Sequence, residues 1–181
     1  MSSIDLSMIS DKQYRFLTDW HRHVGYGGAR GGGKSWAVRT KAKILAAVYA
    51  GIKVLIVRRT LQELLNNHIN PLREELHGLA KFNKSEKVFT FPNGSTIKFG
   101  YCNCDGDLGQ YQGAEYDVIF LDEATQLQEE WIKKINACVR GVNNFPKRTY
   151  YTCNPGGASH GYIKRLFIDR RFQAGENGED Y

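Results

Sequence analysis

No apolar run in this sequence approaches the length that spans a bilayer. The first residues, MSSIDLSMISDKQYRF, lack the basic start and apolar core of a secretory signal, so neither a membrane span nor export is expected. Cysteine is sparse and its spacing unpaired: Cys102 and Cys104 form C-x-C, while Cys138 and Cys153 sit in other segments. That pattern offers neither a disulfide framework nor a recognisable zinc site, and it fits the reduced thiols of a cytosolic protein. No internal repeat is visible. At 181 residues the chain has room for one α/β domain with a proper core and not for two large ones. A composition 41% hydrophobic and 24% charged is that of a soluble globular protein, and the formal net charge of +6 favours polyanionic partners only weakly.

Glycine, in contrast, is concentrated. The stretch GYGGARGGGKSWAVRT, residues 25–40, leads into a run in which Trp36, Ala37, Ile44, Ala47 and Val48 fall near one helical face, with Gly51 ending the pattern. A flexible linker rarely opens a helix. Within the stretch, Gly28-Ala29-Arg30-Gly31-Gly32-Gly33-Lys34-Ser35 satisfies G-x-x-x-x-G-K-[ST], the phosphate-binding loop whose backbone N–H groups wrap an anion at a helix N-terminus. Glycines permit the close approach, Lys34 neutralises β/γ-phosphate charge, and the Ser35 hydroxyl is of the type that ligates Mg²⁺.

The rest of the chain alternates between two periods. Residues 10–22 carry a Ser cap and apolar Tyr14, Leu17 and Trp20, which predicts a helix before the loop, and a short irregular strand is expected around His21 to Tyr26. IKVLIVRRT reads as a strand buried on both faces, with Arg58 and Arg59 at its exit. TLQELLNNHINPLREELHGL predicts a helix interrupted near Pro71 and closed at Gly78. KVFTFPNGSTIKFGYC predicts a hairpin about Asn93-Gly94. YDVIFLDEA is another buried strand, TQLQEEWIKKINACV is amphipathic, and KRTYYTCNPGG is a strand entering a polar turn before a short helix around Gly161 to Ile168. Buried strands alternating with helices imply an α/β fold with a mainly parallel sheet covered on both faces.

A phosphate loop needs a metal partner and a group to orient water. Val118-Ile119-Phe120-Leu121-Asp122-Glu123 has the form of a Walker B strand, whose C-terminal end faces the same crevice as the loop. There Asp122 would hold Mg²⁺ through water and Glu123 would polarise the attacking water. An adjacent glutamate favours the ATPase class over kinases and most GTPases. The strand TYYTCN ends the same way, so Asn154 is a candidate to reach a γ-phosphate or the lytic water; an Asn that only starts the turn before Pro155 is the competing reading.

Four elements stand in order: Gln13 on an upstream helix, GGARGGGKS, VIFLDEA and TCNPGG. With LIVRRT after the first crossover and YQGAEYD before the acidic strand, the set resembles the ATPase domain of the large terminase subunit of tailed double-stranded DNA bacteriophages, over residues 10–170 or so. The resemblance implies a P-loop NTPase fold of the ASCE, RecA-like class with an inserted β-hairpin, residues 1–181 forming a single ATPase domain. It implies that Gln13 reads adenine, that Gly28 to Trp36 hold the nucleotide, with Arg30, Lys34 and Ser35 on phosphates and metal, and that ATP and Mg²⁺ are bound. Asp122 would bind Mg²⁺, Glu123 would be the catalytic carboxylate, and Thr152 and Asn154 fall on the family's coupling motif.

By the same resemblance, double-stranded DNA, a portal protein, a small terminase subunit and further copies in a ring are the expected partners, in the bacterial host cytoplasm and transiently at the procapsid. Two departures stand out. No acidic cluster of an RNase H-like nuclease follows, so a fragment of a longer, nuclease-bearing protein is expected. Where some relatives carry a finger arginine, this sequence has Gln112 before Gly113, leaving Arg30, Arg58 or Arg140 for that role. Lys133, Lys134, Lys164 and Arg165 are candidates for DNA contact, and a helicase-like or DNA-repair ATPase is the alternative reading.

Overall fold

The computed structural model describes residues 9–28, 31–145 and 147–181. Their strands are β1 (His23–Gly27), β2 (Lys53–Arg58), β3 (Lys81–Asn83), β4 (Val88–Thr90), β5 (Thr96–Tyr101), β6 (Val118–Leu121) and β7 (Arg148–Cys153), in one sheet of order β1-β7-β6-β2-β5-β4-β3. β1, β7, β6, β2 and β5 run parallel, and β4 and β3 close the edge antiparallel. The helices are α1 (Asp11–Thr18), α2 (Lys34–Val48), α3 (Leu61–Leu64), α4 (Asn70–Glu75), α5 (Glu129–Asn136) and α6 (His160–Phe167). This is the mainly parallel α/β fold expected, with the phosphate-loop strand β1 and the acidic strand β6 separated by β7. Among the described residues no helix is long and apolar enough to cross a membrane.

Period-2 alternation divides the strand residues between two cores. Val54, Ile56, Val118, Phe120 and Tyr150 face a cluster with Phe16, Leu45, Leu64 and Leu72, on the side of α1 to α4. Leu55, Val57, Ile119, Leu121 and Tyr151 face Trp131, Ile132, Ile135 and Ile163, on the side of α5 and α6. Both faces being covered explains why β2 and β6 read as unbroken apolar runs rather than alternating ones. Phe120 stacks on Tyr150 with ring centroids 4.8 Å apart, at the middle of the sheet.

Three local features depart from the sequence pattern. The first helix ends at Thr18 rather than near 22, because the buried Lys41 donates through Nζ to the carbonyls of Leu17 and Asp19 and lies 4.1 Å over the Trp20 ring. The hairpin about Asn93-Gly94 forms, but β5 also pairs parallel with β2, so the hairpin continues the main sheet. A third edge strand, β3, joins it; three residues are too few to show a period in sequence. The helix after β2 is interrupted near Pro71 as expected, Leu65–Ile69 taking π-helical pitch just before it.

Truncating Phe120 to Ala should cost about 3–5 kcal/mol in urea unfolding, since it opens a cavity beneath Tyr150. Val48→Ala, at a position 66% exposed, should stay within about 0.5 kcal/mol of the wild type. Equal effects would contradict this division between core and surface.

Candidate functional site

Strand register assembles the site. Ile56 pairs with Phe120 and Phe120 with Tyr150, so Arg58, Asp122 and Thr152, two residues on along each strand, extend the same row on the same face of the sheet. All three are buried. Asp122 Oδ2 accepts from Ser35 Oγ at 3.0 Å and from His68 Nε2 at 2.7 Å, and lies 3.3 Å from Arg58 Nε. Its Oδ1 accepts from the Thr152 hydroxyl. Burial opposes ionisation of Asp122, but the His68 contact, the Arg58 charge and the Thr152 hydrogen bond outweigh it and hold the carboxyl well below the usual carboxylate range.

Glu123 leaves that row. Its φ of +55° is left-handed, a conformation rare outside glycine and concentrated at functional sites. The turn aims the carboxylate at a different set of donors: Arg58 Nη2 at 2.9 Å and Asn154 Nδ2 at 3.2 Å, both on Oε1, with the Gln126 side chain on Oε2. Its backbone N–H donates to Thr152 Oγ1 at 3.0 Å, so one threonine orders both acids.

The loop joins this cluster through its lysine. Lys34 Nζ donates to Asn154 Oδ1 at 2.8 Å and to the Gly28 carbonyl at 3.1 Å. Asn154 therefore bridges the Lys34 ammonium and the Glu123 carboxylate. Gly33 caps α2 at φ +69°, and a Cβ there would come within 2.4 Å of the Gln13 side-chain amide nitrogen. Gln13 thus lies against the loop, while its Oε1 accepts from the Ser10 N–H in a capping box. The first intrahelical bond of α2 is Ala37 N–H to the Gly33 carbonyl; the N–H groups of Ser35 and Trp36 precede it in the first turn, where a helix has no carbonyls to offer them. The Trp36 ring itself is partly buried against the core. Gly31 is left-handed and, with Gly32, exposed. Ala29 and Arg30 lie outside the described residues.

Lys34, Ser35, Asp122, Glu123, Thr152 and Asn154 are thus brought into one bonded cluster, with Gln13 and Gly28 at its border. Of the arginines weighed for the finger role, Arg58 sits inside the cluster. Arg140 lies elsewhere, with Nε 3.4 Å from the Ala114 carbonyl and 3.8 Å from Glu115. Among the DNA-contact candidates, Lys133 pairs with Glu129, Lys164 with Asp169 and Arg165 with Glu176, so these charges are balanced locally. His68 was not singled out in the sequence. It stands at helical spacing between the buried Leu64 and Leu72, so the period places it on the inner face, but only the fold brings Asp122 to its ring.

Among the described residues no group of three or more His, Cys, Asp or Glu forms a metal cage. The neighbouring Ser35 hydroxyl and Asp122 carboxylate instead suit a hard cation that keeps most of its waters and takes further oxygens from phosphates.

The model of the family described as phage terminase large subunit matches residues 21–181. Among curated proteins, none matches this chain. The structure is similar to the large terminase from a thermophilic bacteriophage, with a TM-score of 0.74 and 19% identity, covering 90% of this chain and 43% of that one. It is similar to the same terminase in complex with ATP-gamma-S, with a TM-score of 0.71 and 20% identity, over 90% and 42% of the two chains. It is also similar to the N-terminal domain of the DNA packaging ATPase from bacteriophage phi29, with a TM-score of 0.60 and 15% identity, over 93% and 90%. At such identities the likeness concerns the fold, and this chain spans less than half the length of the thermophilic phage protein. The family model, covering nearly the whole chain, carries the assignment: this protein belongs to the phage terminase large subunit family.

Proposed function

We propose that this chain is the Mg²⁺-dependent ATPase part of a packaging motor that drives double-stranded viral DNA into a procapsid. The observation that carries the reading is the joining of the phosphate loop to the acidic strand: Ser35 Oγ lies 3.0 Å from Asp122, and Lys34 reaches Asn154, which in turn holds Glu123. ADP and ATP-gamma-S complexes of the thermophilic phage terminase are in keeping with nucleotide at this loop.

The reaction is attack of water on the γ-phosphorus, which breaks the bond to the β-phosphate oxygen and yields ADP and phosphate. Backbone N–H groups of the loop and the Lys34 ammonium take the phosphates, and Arg30 stabilises charge developing in the transition state. Ser35 and Asp122 would hold Mg²⁺, which would supply neutralisation of phosphate charge. Glu123 accepts the proton of the attacking water. Phosphate arriving at Lys34 competes with the Asn154 side-chain carbonyl, and Asn154 is the group on the other side of Glu123. Nucleotide occupancy is therefore transmitted to the base by exchange of a hydrogen-bond partner, and Arg58 supplies a counter-charge to Glu123. Thr152 and Asn154 serve as the coupling pair and Gln13 reads the adenine.

In the longer protein an RNase H-like nuclease domain follows, residues 1–181 fold as the ATPase domain, and copies assemble in a ring on the portal protein with the small terminase subunit selecting the DNA. This takes place in the cytoplasm of the bacterial host.

Glu123→Ala should lower ATP turnover by about 10²–10⁴-fold while retaining ADP binding; unchanged turnover in a phosphate-release assay would remove Glu123 as the base. Lys34→Ala should abolish DNA translocation by the full-length protein and leave its nuclease domain folded, and packaging that persisted in that variant would refute the role of the loop. For Arg30→Ala, turnover should fall by about 10³-fold with far less loss of nucleotide affinity. Equal losses in both would make Arg30 a simple phosphate ligand.

A further inference from the structure

The helix between β2 and the sheet edge changes pitch at its centre, where Leu65–Ile69 form a π-helical segment between α3 and α4. An extra residue in the turn re-aims the side chains that follow it, and such segments are frequent at functional sites. The segment's buried residues are His68 and Ile69, and His68, 0% exposed, has Nε2 2.7 Å from Asp122 Oδ2. A carboxylate oxygen only accepts, so Nε2 carries the hydrogen. The other ring nitrogen, Nδ1, is buried with no hydrogen-bond partner among the described residues. A leucine would fill this space without leaving a polar atom unsatisfied, so packing does not account for a histidine here.

Two basic groups approach the same oxygen, and only one is aligned on it. Arg58 Nε is 3.3 Å from Oδ2 but makes no hydrogen bond, and its Nη2 is engaged by Glu123. With Thr152 holding Oδ1, His68 is the basic group aligned on Oδ2, the oxygen that also accepts from Ser35.

We infer that His68 is a positioning residue for Asp122: its Nε2–H, acting from within the π-helical segment, helps fix Oδ2 in an orientation suited to holding Mg²⁺ beside Ser35. The inference rests on the reading of Ser35 and Asp122 as the Mg²⁺ pair. Partners that orient a metal-binding carboxylate are worth about 10–100-fold in metal affinity, and the effect is confined to binding that involves the metal.

The test is calorimetric titration of the chain with a non-hydrolysable ATP analogue, in Mg²⁺ and in EDTA, with circular dichroism to check folding. His68→Met removes the donor at similar volume, and His68→Gln places an amide near the position of Nε2. His68→Asn puts its amide at the level of Nδ1, out of reach of Asp122, and carries the comparison should the Met variant not fold. The expected result is a loss of about 10–100-fold in affinity with Mg²⁺ for Met and Asn. Metal-free affinity should be unchanged, and Gln should restore binding to within about 3-fold of the wild type. Wild-type Mg²⁺ dependence in the Met and Asn variants would overturn the inference. So would equal losses with and without metal, which describe a packing role, or failure of Gln to restore binding. A wild type whose nucleotide binding ignores Mg²⁺ would instead overturn the metal-pair reading, and this inference with it.

Discussion

A carboxylate with no side-chain surface in water organises this protein. Asp122 is buried to 0% side-chain exposure, and an isolated ionised group there would be prohibitively costly. It stays ionised because four elements converge on it: Ser35 from the start of α2, Arg58 from the end of β2, His68 from the π-helical segment and Thr152 from β7. Each of those elements is held by a core packed on one face of the sheet. Loss of any one partner leaves part of a buried charge uncompensated, so the site and the central fold are not separable in energetic terms.

The same arrangement makes the site a single network rather than two motifs side by side. Placing β7 between β1 and β6 brings the end of β7, with Thr152 and Asn154, between the phosphate loop and the acids. Thr152 ties Asp122 to the backbone of Glu123. Asn154 ties Glu123 to Lys34. Arg58 spans both acids. Lys34 and Glu123 are thereby joined through two hydrogen bonds at Asn154.

Much of this was legible in residue order. The phosphate loop, the acidic pair and the T-C-N turn are each contiguous, so their chemistry is visible wherever the chain folds. The buried strands announced themselves because coverage on both faces leaves no polar alternation. Other features were not legible, for reasons that differ. β3 is too short to carry a period. The early end of α1 depends on Lys41, more than 20 residues away in sequence, donating to its last carbonyls. His68 falls at helical spacing between Leu64 and Leu72, but the approach of Asp122 is not encoded next to it, so its role was not legible.

By itself the sequence determined which groups are present and that they belong at strand ends: Lys34 and Ser35 after a glycine turn, Asp122 and Glu123 after four apolar residues, Asn154 after a second strand. Those facts follow from local propensity and hydrophobic period. Only the tertiary structure decided that Arg58 and His68 belong to the same cluster and that Asn154 bridges Lys34 and Glu123. Contacts of this kind are fixed by strand order and register, which arise when distant segments compete to bury the same apolar surface.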